Sequence, residues 1–309
     1  MSSPSPSAAH FALPLHTTAE GPTNPSQVNL PHPFVVLIAG GSKGIGLGII
    51  HAYAKAGASG IIIASRSQSS VESAAKTVLK INPRIKILCQ PCDITIEGDV
   101  KDLADAVGRV FGRLDVLVIG AGSGTKLTHI REGGLKDWPC GVIEGAPTEM
   151  ERLWRVNVHG PYLLQHYFLP LLEGTKDGAQ AIIQISSAAA HYTNAEVMPT
   201  SYSLTKFAAT RLVELVHEGH KGSGVVAFAL QPGGVATGSE KLVVPDGKRW
   251  EKLLVDDVGL AGGFCVWLTK EKREWLSGRY LDAKWDVDEL VRRKDEIVGK
   301  DLLKLRMAC

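Results

Sequence analysis

"FVVLIAGGSKGIGLGIIHAYAKAG", residues 34–57, is the stretch on which the fold turns. Its first six residues, 34–39, are continuously apolar, the pattern of a strand buried on both faces of a sheet. They run straight into Gly40, Gly44 and Gly46, spaced G-x-x-x-G-x-G, and a helical pattern starts near Gly44. Glycines at such a turn let the chain reverse tightly and bring backbone amides close to a phosphate at the positive end of a helix. A glycine turn alone says little. Between a strand and a helix it points to a bound nucleotide.

Working outward, similar apolar runs recur as "GIIIAS" (60–65), "RIKILC" (84–89), "LDVLVI" (114–119), "AIIQIS" (181–186) and "VVAFAL" (225–230), with a seventh short strand at Arg279–Asp282. Helical segments lie between them; in 70–80, Val71, Ala74, Ala75, Val78 and Leu79 share one face. The alternation predicts an α/β fold, a doubly wound, mostly parallel seven-stranded sheet in a single domain. Its ligand crevice belongs at the carboxyl ends of the strands. There is no internal repeat.

Composition limits the remaining classes. The 309 residues are 44% apolar and 21% charged with a net charge of +2, which gives no reason to expect nucleic acid or an acidic membrane as partner. No run reaches the roughly 18 apolar residues of a membrane span. Residues 1–33 are rich in Ser and Pro and hold no Lys or Arg, so they fit neither a secretory signal nor a mitochondrial leader. They are expected to be a disordered leader, with the domain at 34–285 and a helical tail at 286–309; the expected location is cytoplasmic. Five scattered cysteines argue against a disulfide framework, and Cys89 and Cys92, a C-x-x-C at a strand end, read as structural rather than redox or zinc-binding. His217 and His220 stand three apart; they are expected to serve the end of a helix, where cations suit the dipole, and not a metal.

The second strand ends with Ser65 where a site for NAD commonly carries a carboxylate, and Arg66 follows. A guanidinium can fork onto a ribose 2′-phosphate, and Lys43 offers a second cation, so the expected cofactor is NADP(H). Asp93, after the third strand, is a candidate either to accept from an adenine amino group or to serve the N-cap region of the next helix.

Near the middle of the chain, "SYSLTK" sets Tyr202 and Lys206 one helical turn apart. The ordered set of "GGSKGIG", "CDIT", "VNVHG", "ISS", "YSLTK" and "QPGGVATG" resembles the short-chain dehydrogenase/reductase family over about residues 34–285, the stand-alone fungal members included. The resemblance implies a Rossmann-type fold and a catalytic set of Asn157, Ser187, Tyr202 and Lys206, with Ser186 in reserve for Ser187. It also implies cofactor contacts from Gly40, Ser42, Lys43, Gly44, Ile45, Gly46, Ser65, Arg66, Asp93, Ile94, Pro232, Gly233, Val235 and Thr237. In the implied chemistry a ketone or aldehyde and an alcohol interconvert by hydride transfer, with the phenol as general acid and base. A cation ~4 Å from that phenol, at an effective dielectric near 20, is worth about 4 kcal/mol, or roughly three pKa units. The resemblance further implies that Lys206 bonds the nicotinamide ribose, Ser187 bonds the substrate oxygen, and Asn157 holds a relay water.

The expected partner is a small carbonyl or alcohol, with a homodimer or homotetramer formed through the helices near 148–173 and 201–219. An isomerase or dehydratase, or a nucleotide-binding protein without turnover, stays open as an alternative. The chain departs from the family in Ile119-Gly120-Ala121-Gly122, which lacks the usual asparagines that tie strands together, and in a long segment from Gly122 to Asn157. His191 and Tyr192 are candidates to line a substrate pocket, and Trp250 is a candidate for a lid.

Overall fold

The computed structural model describes residues 10–125, 141–143, 145–195, 197–237 and 254–307. Seven strands form one sheet: β1 (Val35–Ala39), β2 (Gly60–Ser65), β3 (Lys86–Pro91), β4 (Val116–Ile119), β5 (Ala181–Ile185), β6 (Val226–Gln231) and β7 (Arg279–Asp282). Their order is β3-β2-β1-β4-β5-β6-β7. Every pairing is parallel, so the sheet is parallel throughout and not merely in most of its strands.

The helices are α1 (Gly44–Lys55), α2 (Gln68–Ile81), α3 (Glu97–Phe111), α4 (Pro147–Trp154), α5 (Gly160–Gly174), α6 (Thr200–His220) and α7 (Leu260–Thr269), then two short ones, α8 (Val287–Arg292) and α9 (Lys294–Gly299). Alternate strand residues feed two cores. Val36 and Ile38 pack with Ile49, Ile50 and Phe264 of α1 and α7. Val35, Leu37 and Ala39 face Val100, Leu164 and Val213 of α3, α5 and α6. Period-2 alternation therefore puts apolar side chains on both faces, which is why the strands read as unbroken apolar runs.

Chain order reverses between β1 and β4. This switch point places the ligand crevice at the carboxyl ends of these two strands.

Both ends of the chain differ from expectation. The described part of the leader is packed: Ala12 is fully buried, and Val28 and Leu30 join the core. Leu15 bridges Trp285, and Phe11 lies under the Arg293 guanidinium. The leader is thus anchored by apolar groups sparse enough to leave its composition polar. Residues 1–9 lie outside the described residues. The tail is not one helix. After α9, left-handed backbone at Asp301 and Leu303 turns the chain back, and Leu303 O accepts from Tyr280 N at 2.8 Å, covering the edge of β7.

No described helix is long and apolar enough to cross a membrane.

Candidate active site

The glycine turn sits at the crevice. Gly40 has φ +85°, and a Cβ on it would lie 2.5 Å from Ala121 N in the turn after β4. A Cβ on Gly46 would lie 2.2 Å from Gly40 O. No side chain fits at either place, so only glycine brings these backbones together. Gly44, φ +52°, faces the loop after β6: a Cβ there would stand 3.1 Å from Thr237 Cγ2. Lys43 precedes α1 with its side chain exposed and without a capping bond, beside Ser42 and Ile45, both half-buried. The first amides of α1 thus border a cradle without side chains, which fits a pyrophosphate.

At the end of β2, the Ser65 hydroxyl is buried without a hydrogen-bond partner, and Arg66 is exposed beside it. Asp93 spends one carboxylate oxygen on a turn, accepting from Thr95 N at 2.9 Å and Thr95 Oγ1 at 2.8 Å. Ile94 is buried against Gly160. After β6, Pro232 and Val235 are buried and Gly233 adopts φ +91°. Asp256 fixes this loop by accepting from Gly234 N at 2.6 Å, and it pairs with Lys284 at 3.1 Å. Its role has no local sequence signal, because its partner is 22 residues away.

Tyr202 and Lys206 occupy the first turns of α6. Ser187 hydrogen-bonds Tyr202 through its side chain and caps the turn at 188–191 by accepting from Ala189 N at 3.2 Å. Ser186 points the other way, its hydroxyl 2.7 Å from Thr210 Oγ1 in the core, so Ser187 is the serine that meets the tyrosine. Lys206 Nζ is buried, donates to Ile185 O at 3.0 Å and lies 5.8 Å from the centre of the Tyr202 ring.

This arrangement corrects the expected electrostatics. Burial brings the Lys206 amine down to about 8. Burial also lifts the Tyr202 phenol above its ordinary value, and the bond from Ser187 opposes that rise without cancelling it. With Nζ drawn to a carbonyl, desolvation outweighs the attraction between cation and phenolate. Tyr202 is therefore held protonated, the form a proton donor needs.

Asn157 lies within Arg155–His159, a π-helical turn joining α4 to α5. Such turns recur at functional sites because the extra residue redirects a side chain. Here Asn157 is buried, with Oδ1 accepting from Ser123 N at 2.9 Å, and Nδ2 donating to Ser123 O at 2.9 Å and Thr205 Oγ1 at 3.1 Å. Gly122 stands beside it; a Cβ there would be 3.6 Å from both Asn157 Oδ1 and Lys206 Nζ. The glycine turn touches Ala121 and the amine faces Gly122, so the two ends of the site are contiguous.

Other candidates fall elsewhere. His191 and Tyr192 line a cavity of about 760 Å³ with Phe207, Tyr280 and Leu303, and none of Ser187, Tyr202 and Lys206 lines it. His191 packs edge-on against Tyr280 at 4.4 Å, and burial lowers its pKa. His217 and His220 are in the last turn of α6, bonded to Ser277 and Glu173, but burial pushes His217 toward neutrality and weakens its service to the dipole. Cys89 and Cys92 are free thiols; burial and nearby Asp99 push Cys92 up to about 12, which leaves it unreactive. Trp250, and residues 126–140 and 144 of the segment between Gly122 and Asn157, lie outside the described residues.

The family model for short chain dehydrogenases matches residues 34–247. The short chain dehydrogenase pgmD of Aspergillus terreus is 34% identical, covering 97% of this chain and 96% of its own length. The short chain dehydrogenase citE of Monascus ruber is 37% identical over 89% of each chain. Among solved structures, 7α-hydroxysteroid dehydrogenase in complex with NADH and 7-oxo glycochenodeoxycholic acid matches with TM-score 0.69 at 22% identity, over 86% of this chain and 96% of that one. L-sorbose reductase from Gluconobacter frateurii, in complex with NADPH and L-sorbose, matches with TM-score 0.68 at 21% identity, over 84% and 96%. At these identities the two structures establish a shared fold.

Proposed function

This chain belongs to the short chain dehydrogenase family, and from that premise we propose that it is an NADPH-dependent oxidoreductase interconverting a ketone or aldehyde and an alcohol. One observation carries the reading: Ser187, Tyr202 and Lys206 converge where the glycine turn and the turn after β4 meet. Bound NADPH supplies the hydride for the carbonyl carbon. Ser187 donates to the carbonyl oxygen and steadies the charge that builds on it. Tyr202 gives its proton to that oxygen, yielding the alcohol. Lys206 holds the ribose hydroxyls and returns a proton to the phenol. Gly40, Gly44 and Gly46 admit the pyrophosphate. Arg66 and Lys43 take the 2′-phosphate, with the unpartnered Ser65 hydroxyl beside them. Val235 and Thr237 would hold the nicotinamide amide, and Asp93 and Ile94 the adenine.

The reading includes a cytosolic homodimer or homotetramer. Leu204, Phe207 and Leu215 on α6 are 46%, 42% and 61% exposed, and Tyr162 on α5 is 54% exposed, an apolar face on the helices expected to pair. Light scattering tests the assembly and cell fractionation the location.

The function is tested by following loss of reduced-nicotinamide absorbance across a panel of ketones and aldehydes, with NADPH or NADH. Turnover is expected with NADPH preferred, and Arg66→Ala should weaken NADPH about tenfold to a hundredfold while leaving NADH nearly unchanged, the loss of charge-assisted bonds of about 1.5–3 kcal/mol. Equal losses for both cofactors would remove the phosphate assignment. Binding of NADPH without turnover of any carbonyl would leave a nucleotide-binding protein.

A further inference from the structure

We propose that Arg152 is a positioning residue, a strut that holds the chain just after β4 against the proton-transfer pair. The inference rests on the reading above that Tyr202 and Lys206 do the chemistry. Where the family commonly ties this turn with asparagines, the chain has Ile119-Gly120-Ala121-Gly122, which offers no side chain for the purpose. Arg152 reaches across from α4 instead. Its Nη1 donates to Ser123 Oγ at 2.7 Å and its Nη2 to Gly124 O at 2.8 Å. Glu149, one turn earlier and buried, orients the guanidinium by accepting from Nε at 2.7 Å and Nη2 at 2.6 Å. A planar fork held on both edges in this way is a rigid connector, and a lysine cannot reproduce it.

What the strut fixes is the wall of the site. The Ser123 backbone N–H and C=O each bond the Asn157 side-chain amide, that amide donates to Thr205 Oγ1, and Thr205 Oγ1 donates to Tyr202 O at 2.9 Å. Thr125 Oγ1 stands 3.3 Å from Ser201 Oγ, next to the tyrosine. Gly122, at the head of the clamped segment, faces the Lys206 amine. Releasing Ser123 and Gly124 lets this wall move outward and water reach an amine that is now dry. The desolvation that keeps Lys206 near 8 is then lost. Arg152 touches no reacting atom; it acts through the segment it pins.

The test compares the full-length wild type with Arg152→Met, which keeps the stem and drops the fork, and Arg152→Lys, which keeps the charge. Two readouts are used. The first is the pH dependence of Lys206 acetylation by an acetyl N-hydroxysuccinimide ester in the cofactor-free protein, normalised to exposed Lys43, with alkylation of buried Cys265 as a control for general loosening. The second is kcat and KM with NADPH and the best carbonyl of the panel. For both variants the pH at which Lys206 labelling reaches half its maximum should move up from about 8 toward the ordinary 10.5, with Cys265 unchanged. kcat should fall about tenfold while KM for NADPH stays within about twofold, the mark of a lost transition-state arrangement. Unchanged labelling and kcat would overturn the strut, and so would a parallel rise at Cys265. If Arg152→Met does not fold, Ser123→Ala carries the same two readouts. If the wild type turns over no carbonyl, the reading of function fails, and the labelling alone decides whether the strut exists.

Discussion

Lys206 is the residue whose state differs most from simple expectation. Spacing in the sequence puts it one turn from Tyr202, and the structure does so, but the amine donates to Ile185 O instead of the phenol. Sequence spacing fixes which residues are neighbours along a helix; it does not fix which acceptor a four-carbon side chain will find. The consequence is measurable. A lysine whose folded pKa lies near 8, below its ordinary 10.5, binds fewer protons folded than unfolded between those values. Stability therefore rises with pH across that window, and below it the cost of keeping the amine charged is fully present. In cofactor-free protein, Lys206→Met should melt at or above the wild-type temperature near neutrality, and the gap should shrink as pH climbs toward 10.5. Thermal melts of both proteins across that range check this; a gap that widens with pH contradicts it.

At the scale of elements, the strands were the legible part. All six long apolar runs and the short one at Arg279–Asp282 become strands, with ends shifted by at most two residues. Burial on both faces leaves that pattern little freedom. The ends of the chain were not legible, because their partners are remote. His16 of the leader pairs with Asp286 at 3.0 Å across 270 positions. Phe11 packs at a tilt against Trp285, ring centres 5.4 Å apart. No local pattern announces such contacts. Arg152 was hidden differently: with Glu149 it looks like a solvated pair three residues apart on a helix, and only the fold shows that it spans to the chain after β4. Val28 and Leu30 are each worth about 1.5–3 kcal/mol on burial, and half-buried Phe11 contributes less. Deleting residues 1–30 should therefore lower Tm by about 5 °C or more. Scanning calorimetry of the truncated chain tests this, and an unchanged Tm would show that the leader only rests on the surface.

For the whole molecule, parallel strands put every carboxyl end at one edge of the sheet, and the reversal between β1 and β4 opens that edge. Glycines at 40, 44 and 46, the serine after β5 and the first turns of α6 are far apart in sequence and meet there. The doubly wound architecture and the residues at its mouth follow from runs and turns that the sequence displays; what encloses the substrate depends on long connections that carry no regular period. At this meeting Tyr202 is the proposed proton donor to a carbonyl. The most direct measurement is single-turnover reduction of the best carbonyl of the panel by Tyr202→Phe with saturating NADPH, alongside its NADPH Kd. The predicted result is a rate lower by about a hundredfold or more with Kd within about threefold of the wild type; a rate within about tenfold of the wild type would contradict it.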